Sequence, residues 1–369
     1  MSARGYSRVH SVKEFVYILF SFLPFMVCLV WLAVYLADLR NAPRPRKLLT
    51  TFVLDCAVLY FCHAWFFMAE GWGYGVIDAV YLFCNLSVYP LFYCYLEVLT
   101  RDEPSKGRLV LFLLPAIVLS ALAFLSDGSD VVLDVAKVVF ALEVVLVAVF
   151  GFLHLSAFDK EVRNYYSDTE GKTLRSTSAL LACFVAVSLF SSVANLIGRE
   201  TFLHTTLLGI PSMVFSVMLF SIFYVSYKIE FWAGDFKEEV RKDDTRAGDS
   251  GPEREYAVLE EKIAEAMEKQ KLYLQPGLKI SDVAAAIGSN RTYVSNAINN
   301  AGGKSFADYV NSRRIEYAKG RMKELAPAGD FSISDIAIES GFASFPSFYR
   351  AFTKYERMSP SSWLKGLKD

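Results

Sequence analysis

Histidine is scarce in this sequence, four in 369 residues, and cysteine never occurs in its polar stretches. The six cysteines, Cys28, Cys56, Cys62, Cys84, Cys94 and Cys183, all fall inside apolar runs. A disulfide framework or a zinc site needs Cys or His at ligand spacing in aqueous sequence, so these thiols read as small buried apolar groups. His63 and His154 also sit in apolar runs, His10 in the N-terminal tail and His204 in a short connection. There is no G-x-S-x-G, no P-loop, no H-E-x-x-H and no histidine-kinase or cyclase signature, hence no catalytic constellation. No enzyme activity, cofactor or metal is expected. A net charge of −1 favours no partner of either sign. Long apolar runs are missing too, but only beyond Tyr227.

Before Tyr227 they dominate. The chain is 54% hydrophobic with a mean hydropathy of +0.31, above the roughly 45–50% apolar content of soluble domains. A bilayer core requires about 20 apolar residues as helix. Seven segments meet or approach that length: Phe15–Ala37, Leu48–Ala69, Val76–Leu96, Leu109–Ser126, Val131–Phe158, Ser176–Gly198 and Thr201–Tyr227. The fifth carries the most charge, with Asp134, Lys137 and Glu143. The first is too long for a signal-peptide core and has no clean A-x-A site after it, so it is expected to be retained.

Short loops rich in Lys and Arg stay on the cytoplasmic side. With the N-terminus outside, the inner loops hold Arg40, Arg44, Arg46, Lys47, Arg101, Lys106, Arg108, Lys160, Arg163, Lys172 and Arg175. The outer side holds only Arg4, Arg8, Lys13 and Arg199. Seven helices starting outside end inside, which places the polar C-terminal third in the cytoplasm. Ionisable residues within spans are functional candidates. Asp55, His63, Lys137 and Glu143 are therefore candidates for intramembrane sensing. The alternative is structural, with Asp55 or Glu143 neutralising Lys137, or Asp134 pairing with Lys137 at i, i+3.

The expected organisation is a multi-pass membrane domain over 1–230, a cytoplasmic linker over 231–253 and a helical domain over 254–369. The stretch RKDDTRAGDSGPE, from Arg241 to Glu253, carries the polar, Gly- and Pro-containing signature of the linker. A helix follows from about Arg254 to Lys271, with Tyr256, Leu259, Ile263 and Met267 on one face.

Two similar passages then appear, DVAAAIGSNRTYVSNAI from Asp282 and DIAIESGFASFPSFYRAF from Asp335. Each opens Asp–aliphatic–Ala and places a glycine six residues later, Gly288 and Gly341. In the first, Val283, Ala284 and Ile287 form a short helix face, and Asn290 can cap a second helix carrying Val294 and Ile298. In the second, Ser332 and Asp335 suggest a capping box. Ser344 is the cap, Pro346 suits the first turn, and Phe348 and Phe352 repeat the i, i+4 pair. Between the copies, Ser305 to Leu325 forms a helical rod of roughly 30 Å. One turn of DNA is about 34 Å, so such a rod can hold two recognition helices in successive major grooves. The domain is only mildly basic, but Arg291, Arg350, Lys354 and Arg357 sit on or just after the expected recognition helices.

These passages, with the core G-F-x-S-x-x-x-F-x-R-x-F and the M-S-P that follows it, resemble the AraC/XylS family of bacterial transcription regulators over roughly residues 254–369. The resemblance implies a bipartite helix-turn-helix domain binding promoter DNA. By position, its base-contacting sites fall on Arg291, Thr292, Ser295 and Asn296 in the first helix. In the second they fall on Phe345, Pro346, Ser347, Tyr349 and Arg350. Asn290, Ser344 and Lys354 complete the expected DNA interface. Four positions depart from the family: Asn296 for an Arg, Arg357 for the Gly before M-S-P, Lys279 for a Ser/Thr cap, and Arg321 for an apolar residue. A membrane domain also stands where the family usually has a soluble ligand-binding module.

The expected fold is all-α, a seven-helix transmembrane bundle followed by an AraC-type double helix-turn-helix domain. The expected function is membrane-anchored, sequence-specific transcription regulation from a bacterial cytoplasmic membrane. Partners would be double-stranded promoter DNA, the lipid bilayer, RNA polymerase, a second copy of the chain and a small-molecule or membrane signal. The alternative is a membrane receptor or transporter-like protein whose C-terminal domain binds a protein partner.

Overall fold

The computed structural model describes residues 22–68, 75–101, 106–197, 209–246, 256–300, 302–327 and 331–367. Among them the chain forms helices and no strand, with one isolated antiparallel bridge between Tyr166 and Lys279. It divides into two units, Met1–Ser156 with Leu174–Gly234, and Ala157–Thr173 with Asp235–Asp369. The expected residues Arg4, Arg8, His10, Lys13, Arg199 and His204 lie outside the described residues, as do the start of the first apolar run and 247–253.

Seven helices precede residue 247 among the described residues: α1 (Phe22–Leu36), α2 (Arg44–Met68), α3 (Val76–Thr100), α4 (Lys106–Leu125), α5 (Asp130–Tyr165), α6 (Arg175–Ile197) and α7 (Gly209–Arg246). Four of them, α2, α3, α5 and α7, are long and apolar enough to cross a membrane, while the apolar parts of α1, α4 and α6 are shorter. The charged fifth segment is a continuous helix of 36 residues, and its apolar window has the highest mean hydropathy of the four, 2.5. Three charges spread over so long a run of Val, Leu, Ala and Phe do not interrupt it.

In the first unit α3 is the central helix. From Leu86 to Leu99 every side chain is buried, as expected of a helix that is apolar all round. Tyr89 stacks on Phe184 of α6 with ring centroids 4.9 Å apart, and Phe92 meets Phe52 of α2 at 5.2 Å. Tyr93 Oη lies 3.0 Å from His154 Nε2 of α5. Helix α1 packs on α7, where the Tyr35 hydroxyl donates to the Phe223 carbonyl at 2.7 Å. The opposite pattern holds on the faces of α4 and α5, where Val110, Leu111, Val131, Val138, Leu142 and Leu153 are exposed. All six cysteines are free, and all but Cys183 are buried.

The candidate intramembrane residues do not form one site. Asp55 is buried and accepts a hydrogen bond from Ser87 Oγ at 2.8 Å. Both carboxylate oxygens of Glu143 are shielded and have no hydrogen-bond partner among the described residues. Lys137 pairs with Asp134 at 2.8 Å, so the i, i+3 alternative holds and neither Asp55 nor Glu143 is neutralised by Lys137. His63 stacks on Tyr81 with ring centroids 6.3 Å apart.

The second unit takes in more than 254–369. It includes the last turns of α5, the loop after them and the end of α7. Helix α7 runs through Arg246, where a linker was expected from residue 231. The Gly and Pro that signalled the linker, Gly248, Gly251 and Pro252, come later, and the preceding turns gain an i, i+4 ion pair, Glu238 with Lys242 at 2.6 Å.

Beyond residue 255 the helices are α8 (Tyr256–Lys269), α9 (Ile280–Ala286), α10 (Arg291–Asn300), α11 (Phe306–Leu325), α12 (Ile333–Glu339), α13 (Phe345–Glu356) and α14 (Pro360–Lys365), with a short 3₁₀ turn at Leu272–Leu274. On α8, Ile263 and Met267 are buried as the periodicity predicts. The rod is α11, opened by Ser305, whose Oγ accepts from Asp308 N at 3.2 Å. Ile315, Ala318 and Met322 of α11 share a core with Ile336, Ala337, Phe342, Phe348 and Phe352. Arg321 faces outward beside buried Met322 and pairs with Glu324 and Glu339, which accounts for a charge at that position.

Arg357, where the family has Gly, closes α13 in the left-handed region at φ 60°. Glycine adopts that conformation at no steric cost, while an L side chain pays about 1 kcal/mol or more. Arg357→Gly is therefore expected to stabilise the second unit by about 1 kcal/mol. The readout is the temperature at which protease begins to cut within residues 256–367.

Candidate nucleic-acid interface

Each copied passage folds as a short helix, a glycine turn and a second helix: α9, Gly288 and α10, then α12, Gly341 and α13. Both glycines have positive φ, 66° and 84°. In the first copy the Asp282 carboxylate accepts from Lys279 N at 2.8 Å, half of a capping box that needs no side chain from residue 279. That frees the Lys279 ammonium, which pairs with Glu239 of α7. The box expected of Ser332 and Asp335 is not made in that form. Ser332 Oγ accepts from Ser334 N at 3.1 Å, and the Asp335 amide bonds to the Ser332 carbonyl instead.

The caps of both recognition helices form as the sequence predicts. Asn290 Oδ1 accepts from Tyr293 N at 2.9 Å, and Ser344 Oγ from Ser347 N at 3.2 Å. Val294 and Ile298 anchor α10, and Phe348 and Phe352 anchor α13. With those faces inward, the opposite faces carry the expected contact residues. On α10, Thr292 and Asn296 are exposed and Arg291 and Ser295 half-buried. On α13, Phe345, Pro346, Tyr349 and Arg350 are exposed and Ser347 half-buried. Such a face offers hydrogen-bond donors, acceptors and apolar surface together, the mixture that base-edge and phosphate contacts require. Lys354 is exposed but pairs with Asp308 of α11.

Three features of this unit are not legible as motifs. Arg314, on the rod, is fully buried. Its guanidinium donates to the Tyr273 carbonyl at 2.5 Å and the Gln275 carbonyl at 2.7 Å, and to Ser167 Oγ at 3.3 Å. Burial pulls its pKa down to about 10, which still leaves it charged at neutral pH. The second is the loop after α5. Glu170 accepts from the hydroxyls of Ser344 at 2.5 Å and Ser347 at 2.6 Å and pairs with Arg350 at 2.8 Å, while Asp168 accepts from Ser347 Oγ at 3.1 Å. The third is an open cleft of about 280 Å³, in which Arg291, Thr292, Ser295 and Asn296 face Ala157, Lys160, Glu161 and Asn164 of α5. The only signal for these partners was the inner-loop position of residues 160–175, which draws attention to their cations and not to their acids.

A unit with two capped helix-turn-helix motifs on one rod belongs to a recognisable class. Residues 268–366 match the family described as a helix-turn-helix domain. The chain is 32% identical over 88 residues to the melibiose operon regulatory protein of Escherichia coli (strain K12), covering 24% of this chain and 28% of that one. It is 26% identical over 104 residues to an uncharacterised HTH-type transcriptional regulator of Staphylococcus aureus (strain MSSA476), covering 28% of this chain and 13% of that one. A counterpart in strain N315 matches to the same extent. The chain thus spans about an eighth to a quarter of the length of these relatives, and the likeness concerns the C-terminal domain. That domain is an AraC-type helix-turn-helix domain. No solved structure matches the chain.

Proposed function

We propose that the chain is a membrane-anchored transcription regulator that binds promoter DNA through α10 and α13. The observation that carries this reading is the pair of capped recognition helices, each with its apolar side buried and its Arg-, Ser- and aromatic-bearing side turned out. The rod that joins them has 20 residues, roughly 30 Å, which suits successive major grooves. Arg291, Thr292, Ser295 and Asn296 would read one groove, and Phe345, Pro346, Ser347, Tyr349 and Arg350 the next, with Asn290 and Ser344 holding the helix starts. Lys354 would need to leave Asp308 to reach a phosphate. The apolar surface of α4 and α5 would face lipid, a solvent in which exposed Val and Leu are stable. Asp55, buried, and Glu143, half-buried with both carboxylate oxygens shielded, lack full pairing and are the residues best suited to sense a signal within the membrane, with His63 and Lys137 nearer its outer half.

Two results test this reading. Genomic fragments retained by the purified chain should share a sequence; random retention would contradict promoter recognition. A reporter active only in the cytoplasm should work when fused after Arg241 and fail after Asp127. Activity after Asp127 would overturn the seven-span, N-outside arrangement.

A further inference from the structure

The loop between α5 and α6 makes its contacts on the DNA-reading face itself. We propose that the Tyr166–Thr173 loop is a built-in inhibitor of DNA binding, its carboxylates holding on α13 the donors that would take DNA phosphates and bases. The inference rests on the DNA-binding reading above and names how that same site is regulated.

Glu170 engages the cap Ser344 and two donors of the recognition helix at once, Ser347 and Arg350, and the single proton of the Ser347 hydroxyl is shared between Glu170 at 2.6 Å and Asp168 at 3.1 Å. An anion at a helix start, bonded by capping hydroxyls and a guanidinium, has the chemistry of a bound phosphate. Those two hydroxyls and Arg350 hold the Glu170 carboxyl down at about 2, so it is fully ionised at neutral pH. The other recognition helix is faced in the same way. Lys160, Glu161 and Asn164 on the last turns of α5 line the same open cleft as all four expected contact residues of α10. Two helices meant for DNA thus meet one continuous stretch of chain, residues 157–170.

The loop has a firm root and a weak tip. At the root, Ser167 N donates to the Leu278 carbonyl at 3.0 Å, Asn311 Nδ2 donates to the Ser167 carbonyl at 3.0 Å, and buried Arg314 reaches Ser167 Oγ. Tyr166 donates to Glu239 of α7. At the tip, Arg350 and Glu170 are 54% and 37% exposed, and exposed ion pairs contribute little. A tip held that loosely favours the closed arrangement by roughly tenfold, enough to lower apparent affinity by the same factor and still be released. The loop continues directly from α5, so a shift of that helix reaches Asp168.

The test uses the full chain in lipid nanodiscs and a labelled duplex selected from a randomised library. Glu170→Ala should bind this duplex about tenfold tighter than wild type. Glu261→Ala, which removes an equal charge from the exposed side of α8, should change affinity by less than about twofold. In the wild-type chain, adding duplex should accelerate amide exchange across residues 168–172. Unchanged affinity for Glu170→Ala, equal tightening by Glu261→Ala, or unaltered exchange in the bound state would each overturn the inhibitory role while leaving DNA binding intact. If neither wild type nor Glu170→Ala binds any duplex at low salt, the DNA-binding reading itself has failed, and the inhibitory role with it.

Discussion

Gly341→Ala is expected to destabilise the second unit by about 3 kcal/mol or more, and the equivalent change in the first copy, Gly288→Ala, by only about 1 kcal/mol. The two glycines share a motif position and a left-handed backbone, φ 84° and 66°. Each substitution therefore incurs the strain of an L residue in that region. They differ in what surrounds them. A Cβ at Gly341 would lie 2.7 Å from the Leu274 carbonyl oxygen and 2.8 Å from that of Tyr273, whereas nothing lies within 4 Å at Gly288. Those backbone atoms cannot swing aside, because the Arg314 guanidinium fixes the Tyr273 and Gln275 carbonyls. Overpacking against fixed backbone adds to the strain instead of relaxing it. Thermal unfolding of both variants, followed by protease cleavage within 256–367, measures the contrast. Equal losses would mean that the Leu272–Leu274 turn yields.

Arg350→Ala is expected to weaken binding to the preferred duplex by about ten- to a hundredfold, measured in a Glu170→Ala background so that the lost ion pair does not obscure it. Arg350 lies on the face of α13 opposite buried Phe352 and is 54% exposed, so its guanidinium is free of the core. A bidentate guanidinium on guanine contributes roughly 1–3 kcal/mol of discrimination, and its loss flattens preference at one or two base positions in one half of the site. A phosphate contact has another signature: all sequences weaken together and the salt slope falls by about one. Unchanged affinity across a randomised library would reject both roles.

Much of the C-terminal architecture was legible because it depends on neighbours in the chain. Caps at Asn290 and Ser344, glycine turns, and i, i+4 pairs such as Phe348 with Phe352 are local, and each is found where its spacing puts it. Arg357 could be named as a departure from Gly, but its left-handed backbone shows why the family favours Gly there. What could not be read involves partners far apart in sequence. Glu170 and Ser344 are 174 residues apart, and Ser167 and Arg314 are 147 apart. Such contacts leave no periodicity. The extension of α7 through Arg246 was missed because polar composition alone does not end a helix; the Gly–Pro that would do so comes later. In the first unit the helices were legible as apolar runs, but the surroundings of Asp55 and Glu143 depend on packing among helices that hydropathy does not reveal.

Binding in two successive grooves is visible in a hydroxyl-radical footprint of the 369-residue chain, in lipid nanodiscs, on its selected duplex. Two recognition helices on one rod predict two protected segments on the same face of the DNA, centred about one helical turn, roughly 10 base pairs, apart. Protection should be lost in one segment with changes to α10 and in the other with changes to α13. A single protected segment, or none at low salt, would contradict the account.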